Sequence, residues 1–168
     1  FVSVRFGNGS GGYPAAPKVP FFGSGDTVPP PVDVAIGDVD GDGDIDMAIA
    51  LQGLGANVIF LNDGTGIFTD SGQSLGSSLT TGVTLADMDA DGDLDLLSAK
   101  DGFDEIFVND GTGVFAPGAQ LENGTTSDLA VLDVDRDGRL DILTAHDGPN
   151  LVWLNEGDGS FSAAGQFG

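Results

Sequence analysis

The stretch Asp38-Val39-Asp40-Gly41-Asp42-Gly43-Asp44-Ile45-Asp46 places five aspartates at alternate positions around two glycines. Its frame, Asp-x-Asp-x-Asp-Gly-x-x-Asp, returns from Asp87 to Asp95 and from Asp133 to Asp141, 49 and then 46 residues further on. A second frame, Asn-Asp/Glu-Gly-x-Gly-x-Phe, starts at Asn62, Asn109 and Asn155, with a pitch of 47 and then 46 residues. Two motifs that keep one period mark a repeat architecture. A degenerate further copy of the second motif runs from Gly7 to Tyr13.

Between the motifs the chain reads as short strands. Residues 34–38, 83–87 and 129–133 lead into the acidic frames as strand A, and 45–50, 94–99 and 140–145 leave them as strand B. Residues 58–61, 105–108 and 151–154 form strand C, which ends on the Asn-Asp/Glu-Gly turn that a tight hairpin favours. A short outer strand D surrounds Phe68, Phe115 and Phe161. Four strands in about 47 residues, without helical periodicity, describe a propeller blade. Strand C is apolar on both faces, with Val58, Phe60, Leu151 and Trp153 on one and Ile59, Leu61, Val152 and Leu154 on the other. Such strands need cover on both sides, as stacked blades provide. Trp153 shares its repeat position with Phe60 and Phe107, which assigns it to the core.

The expected fold is all-β: about three and a half four-stranded blades in one repeat domain, forming a partial or open propeller. Residues 1–30 supply a half-blade and a connection, and 31–78, 79–124 and 125–168 supply the three full blades. The half-blade would lack its A and B strands. That leaves three arrangements: a portion of a longer propeller, mutual completion between chains, or an open array that continues as a filament. Arg5, standing where Phe60, Phe107 and Trp153 stand in the repeats, turns that end towards solvent or a polar partner.

Charge narrows the function. The chain has 168 residues, with 27 acidic against 5 basic ones and a formal net charge of −22. Such a surface repels nucleic acid and anionic membranes, and its self-repulsion calls for bound cations. There is no cysteine, so neither disulfides nor thiolate-held metals are available. No apolar run reaches the length of a membrane helix. No Ser-His-Asp spacing, phosphate-binding glycine loop or histidine cluster is visible, and His146, the sole histidine, reads as a loop residue. The reading is therefore non-catalytic. Asn8-Gly9-Ser10 and Asn123-Gly124-Thr125 match the N-glycosylation triplet.

The run Val39-Asp40-Gly41-Asp42-Gly43-Asp44-Ile45-Asp46, followed by Asn62-Asp63-Gly64-Thr65-Gly66-Ile67-Phe68, resembles the FG-GAP or VCBS-type repeats of integrin α-subunit propellers and many bacterial secreted proteins. The resemblance spans nearly the whole chain. It implies a propeller with one calcium ion in each A–B hairpin and ligand-binding B–C and D–A loops on the opposite face, here 52–57, 100–104 and 146–150 for B–C.

Calcium takes six to eight hard oxygen donors, and a nine-residue loop supplies them by turning alternate side chains inward. The expected ligands are Asp38, Asp40, Asp42 and Asp46 with the Asp44 carbonyl in loop one. Loop two uses Asp87, Asp89, Asp91 and Asp95 with the Asp93 carbonyl. Loop three uses Asp133, Asp135, Asp137 and Asp141 with the Arg139 carbonyl. Gly43, Gly92 and Gly138 permit the sharp turns. An EF-hand would need a glutamate at the twelfth position, where Ile49, Ser98 and Thr144 stand. The three Ca²⁺ ions would be structural. The functional expectation is a secreted or cell-surface adhesive module that self-associates or joins further blades and meets a protein or glycan ligand. The alternative is a glycan-binding or accessory propeller of a secreted carbohydrate-active enzyme or lectin.

Overall fold

Alternating apolar runs interrupted by glycine-rich acidic turns favour hairpins over helices. The computed structural model describes residues 30–53, 56–77 and 79–167, and no helix occurs among them. The first repeat builds β1 (Pro31–Gly37), β2 (Asp46–Leu51), β3 (Asn57–Asn62) and β4 (Phe68–Asp70). They form a four-stranded antiparallel sheet in chain order, a single blade. The acidic frame is the β1–β2 hairpin and the Asn-Asp-Gly frame is the β3–β4 hairpin. The half-blade expected at residues 1–13, with Arg5 and the Asn8 triplet, lies outside the described residues, as do Leu54 and Gly55 of the first B–C loop and the Asn123 side chain.

The second and third repeats share one six-stranded antiparallel sheet, ordered β10-β9-β8-β7-β6-β5. Its strands are β5 (Thr80–Ala86), β6 (Asp95–Asn109), β7 (Phe115–Leu132), β8 (Asp141–His146), β9 (Asn150–Asn155) and β10 (Phe161–Phe167). Here the structure departs from the expected separate strands. β6 joins strands B and C of the second repeat, and β7 joins strand D of the second to strand A of the third. β6 is folded back on itself, because the Asn109 amide at its end donates to Asp95 Oδ1 at its start over 2.9 Å. Fifteen extended residues would span roughly 50 Å.

The cause of the fusion is local. The Asp101–Phe103 hairpin tip pairs with Asn123–Thr125 of the D–A connection, so ladder hydrogen bonds hold both segments extended. The sequence reads 100–104 as an irregular loop because its glycine and acidic residues look like turn formers. Cross-blade pairing overrides that local preference. Both sheets remain open.

Alternate residues of each blade supply two different cores. Ala48 and Ala50 of β2 join Ile59 and, from the second repeat, Val83, Leu96 and Phe107. Met47 and Ile49 face the other way, with Leu51 and Phe60. Between the second and third repeats, Met88, Leu97 and Ile106 pack with Ile142, Leu151 and Trp153. The core therefore lies between blades, which explains why strand C is apolar on both sides. Each fully buried Leu, Ile or Phe in such a layer contributes about 1.5–3 kcal/mol relative to exposure. Trp153 is buried, and its indole N–H donates to Thr144 Oγ1 over 3.2 Å.

Candidate metal loops and the turns that brace them

Each acidic loop is closed by the last aspartate of its frame. In the second loop Asp95 is fully buried. Its Oδ2 accepts from the Met88 amide over 2.8 Å, and its Oδ1 from the Asn109 amide over 2.9 Å. Asp46 does the same with Val39 and Asn62, and Asp141 with Val134 and Asn155. The ninth-position carboxylate thus ties the loop both to its own entry and to the turn that ends strand C. The two motifs keep one period because one side chain joins them. Burial pushes the Asp95 carboxyl up to about 6, the two backbone amides opposing and the charges of Asp89 and Asp91 adding to the rise. Burial is likewise the main cause of the upward shifts at Asp40 and Asp89.

The earlier aspartates fold the loops around themselves. Asp38 accepts from Gly41 and Gly43, while Asp40 and Asp42 accept from the amides two residues on. Three carboxylates per loop bring ligand oxygens within 4.8 Å of one another: Asp38, Asp40 and Asp42; Asp87, Asp89 and Asp95; Asp133, Asp135 and Asp141. Asp46, Asp91 and Asp137 stand outside these groups. In loop three the reason is visible. The Arg139 guanidinium forms an ion pair with Asp137, and its Nε donates to the Asn155 carbonyl over 2.6 Å.

These donors fit a hard cation. They are carboxylate oxygens only, and Asp87 Oδ1 is buried without a hydrogen-bond partner among the described residues. In loops one and three the corresponding oxygen accepts from Gly41 and Arg136. A buried carboxylate oxygen left unpaired carries a large desolvation penalty, and a cation among Asp87, Asp89 and Asp95 would offset it.

Two features were not legible from the motif. The fourth frame position is left-handed in every loop, at Gly41 (φ 74°), Ala90 (φ 63°) and Arg136 (φ 65°), so loops two and three hold a non-glycine residue in a disfavoured conformation. The seventh-position side chain, expected to matter only through its carbonyl, lies over the glycine of the following turn: Asp44 over Gly64, Asp93 over Gly111 and Arg139 over Gly157. A Cβ on Gly111 would collide with the Asp93 carboxylate at a backbone φ of 78°. Gly111→Ala is therefore expected to lose about 2–3 kcal/mol in denaturant unfolding. Gly92→Ala, whose Cβ would meet nothing within 4 Å, should lose only about 1 kcal/mol from its own positive φ. Equal losses would show that the contact with Asp93 is idle.

Asn109 and Asn155 connect neighbouring blades. Asn109 Nδ2 donates to Leu94 O of its own blade over 3.1 Å and to Val39 O, in the preceding blade's acidic loop, over 2.7 Å. Asn155 Nδ2 repeats this with Leu140 O and Met88 O, again at 3.1 and 2.7 Å. Each acidic loop is thus braced by the next blade's turn.

On the hairpin-tip side, Lys100 is fully buried, ion-paired to Glu105 and 5.8 Å above the Phe107 ring. Blades one and three hold Leu51 with Val58 and His146 with Leu151 at these places. Buried Asp104 accepts from Thr126 Oγ1 over 2.7 Å and from the Lys100 amide over 2.8 Å. Burial raises its carboxyl against those two bonds and against the nearby His146 and Lys100. A shallow pocket of about 320 Å³ is lined by Gly124, Thr125, His146, Asp147, Pro149 and Gln166. His146 Nε2 lies 2.8 Å from Thr144 Oγ1.

The family profile for the FG-GAP-like repeat matches this chain three times, over residues 38–98, 87–144 and 133–168. No curated protein matches the sequence. Among solved structures, an Agrocybe aegerita lectin described as recognising non-reducing terminal N-acetylglucosamine aligns with a TM-score of 0.54 at 22% identity. The alignment covers 79% of this chain and 37% of the lectin, and at that identity it speaks to the fold alone. The Photorhabdus luminescens Tc holotoxin pore aligns with a TM-score of 0.47 at 19% identity, over 80% of this chain and 7% of that one. The chain thus spans little more than a third of the lectin's length.

Proposed function

The chain belongs to the FG-GAP-like repeat family, and from that premise we propose that it is a non-catalytic propeller module stabilised by Ca²⁺ in three acidic loops, working outside the cell. The observation that carries this reading is the convergence of three carboxylates in every loop, with Asp87 Oδ1 buried and unpaired in the second. All-oxygen donors on a short flexible loop suit calcium better than magnesium, which keeps most of its waters. Calcium loops of extracellular modules work at roughly 10⁻⁴–10⁻³ M, and at a similar affinity these loops would fill where calcium is plentiful. The ion's work here is to cancel repulsion among the aspartates and fix the A–B hairpins. The same scaffold then presents the B–C hairpin tips for adhesive contact.

Calorimetric titration of calcium-free protein should resolve three sites, loop three the weakest because Arg139 draws Asp137 away. Asp42→Ala or Asp89→Ala, each taking one carboxylate from a converging group, should each remove or cripple one site and lower stability by about 2–4 kcal/mol in calcium. Asp101→Ala, whose carboxylate only accepts from Thr125 Oγ1 at the exposed hairpin tip, should cost under about 1 kcal/mol. Equal losses at the three positions would remove the basis for assigning the ion to these loops.

A glycan-binding role is the second reading. It is favoured by the pocket beside His146 and Asp147, which offers polar groups on the hairpin-tip face. Binding on a glycan array that is lost in Asp147→Ala would support it.

A further inference from the structure

We propose that the three acidic loops take up calcium cooperatively, each raising its neighbour's affinity through one buried asparagine that bridges the blades. The inference deepens the reading above and rests on it.

The connection is short. Asp95, one of the converging carboxylates of loop two, accepts from the Asn109 amide through Oδ1 over 2.9 Å. The Asn109 side chain in turn donates through Nδ2 to Val39 O over 2.7 Å. Val39 stands between Asp38 and Asp40, both members of the converging group of loop one. The same step links loop three to loop two. Asp141 Oδ1 accepts from the Asn155 amide over 2.9 Å, and Asn155 Nδ2 donates over 2.7 Å to Met88 O, between Asp87 and Asp89. Met88 joins the two steps, because its own amide donates to Asp95 Oδ2 over 2.8 Å. A continuous series of hydrogen-bonded residues therefore runs from Asp141 through Asn155, Met88, Asp95 and Asn109 to Val39.

Packing reinforces it. The buried Val39 side chain clusters with Leu96 and Phe107 of the second blade, and buried Met88 with Ile142 and Trp153 of the third. The second residue of each of these frames is thus held by the next blade at both its carbonyl and its side chain. Asn109 and Asn155 are buried too, so water does not replace a bond that either one loses.

The sign follows from what a calcium-free loop must do. Its three carboxylates lie within 4.8 Å of one another and repel, and in loop two Asp87 Oδ1 is buried without a hydrogen-bond partner among the described residues. Loosening the Asp87–Asp89 segment relieves both penalties, and the Met88 carbonyl moves with it. Asn155 then loses the acceptor that steadies it, and Asp141 loses a fixed donor. Filling loop two reverses these changes, so loop three binds with less ordering left to complete. Linkage makes the effect mutual. Bracing alone would leave every loop at its own affinity, whereas coupling makes one loop's affinity depend on its neighbour's state. Each bound charge also weakens the pull of a −22 chain on the next. Salt screens that opposing effect beyond about 8 Å at physiological ionic strength, while buried hydrogen bonds escape it.

A calcium titration of the full chain at physiological ionic strength, followed by NMR, tests this. The amides of Gly43, Gly92 and Gly138 each donate to the first aspartate of their own loop, so their signals report the loops separately. Wild type should fill more steeply than independent sites allow. Asp89→Ala, which disables loop two, should weaken calcium binding at loops one and three by about fivefold or more. With Asn109→Ala added, loop one should no longer respond to Asp89→Ala; with Asn155→Ala added, loop three should not. Asn109→Ser and Asn155→Ser, too short to reach the neighbouring loop, serve if the alanine variants do not fold. Loops one and three that keep wild-type affinity in Asp89→Ala overturn the coupling. So do losses that are the same whether or not the asparagines are present. Loops that fill independently remove only the coupling, whereas glycine signals indifferent to calcium remove the reading beneath it.

Discussion

Stripping calcium with a chelator is expected to lower the melting temperature of this protein by about 15–30 °C. Ligand that binds only the folded state adds RT ln(1 + [L]/Kd), about 2.7 kcal/mol for each site at a hundredfold excess over Kd, which for these loops means roughly 10–100 mM calcium. Three loops together then contribute about 8 kcal/mol, as much as the whole stability of many domains. Each kcal/mol shifts the midpoint by roughly 2–4 °C in a chain of this size. Low salt should widen the effect, because a net charge of −22 repels itself more strongly when unscreened. Magnesium at equal concentration should restore little of the loss. Scanning calorimetry in calcium, in chelator and in magnesium decides it. Superimposed melts in the three conditions would end the structural role assigned to the ion.

The blade pattern was legible because it depends on period and alternation. Phe60 and Ile59 are neighbours in the chain and lie in different cores, as a period of two requires. The acidic frames were legible because five or four aspartates in nine residues have few other uses. What escaped were the consequences of one element touching another. Nothing in Asp95 itself shows that both its oxygens would be taken by the amides of Met88 and Asn109, a residue 14 positions on. Asp101-Gly102-Phe103 reads as a loop until Asn123–Thr125 comes alongside it. Position seven looked free because loop three carries Arg139 where the other two carry Asp44 and Asp93, yet all three cover a turn glycine. Lys100 could be read as a surface charge. Its burial with Glu105 follows from strand position, where blade one holds the apolar pair Leu51 and Val58 and blade three holds His146 and Leu151.

Asn109→Ala is expected to be the most damaging single change outside the acidic loops, with a loss of about 3–5 kcal/mol in calcium. The side chain is 1% exposed and makes three hydrogen bonds: Nδ2 to Val39 O and Leu94 O, and Oδ1 from the Gly113 amide over 3.2 Å. Alanine would leave two carbonyls and one N–H buried without partners, at about 1–3 kcal/mol each before relaxation. Asn155→Ala should behave alike, since it abandons Met88 O, Leu140 O and the Gly157 amide. Asn62→Ala is the internal control. That side chain is only partly buried and bonds Ile45 O and the Gly66 amide within its own blade, where water can take its place. Its loss should be about 1 kcal/mol. The three variants also differ in where calcium binding suffers. Because Val39 belongs to loop one, Asn109→Ala should weaken the ion in the first blade's loop although the substitution is in the second, and Asn155→Ala should weaken loop two. Denaturant unfolding with calorimetric calcium titration measures both effects. Equal stability losses in Asn62→Ala and Asn109→Ala, or calcium affinities untouched by either buried substitution, would show that the bonds between blades carry no weight.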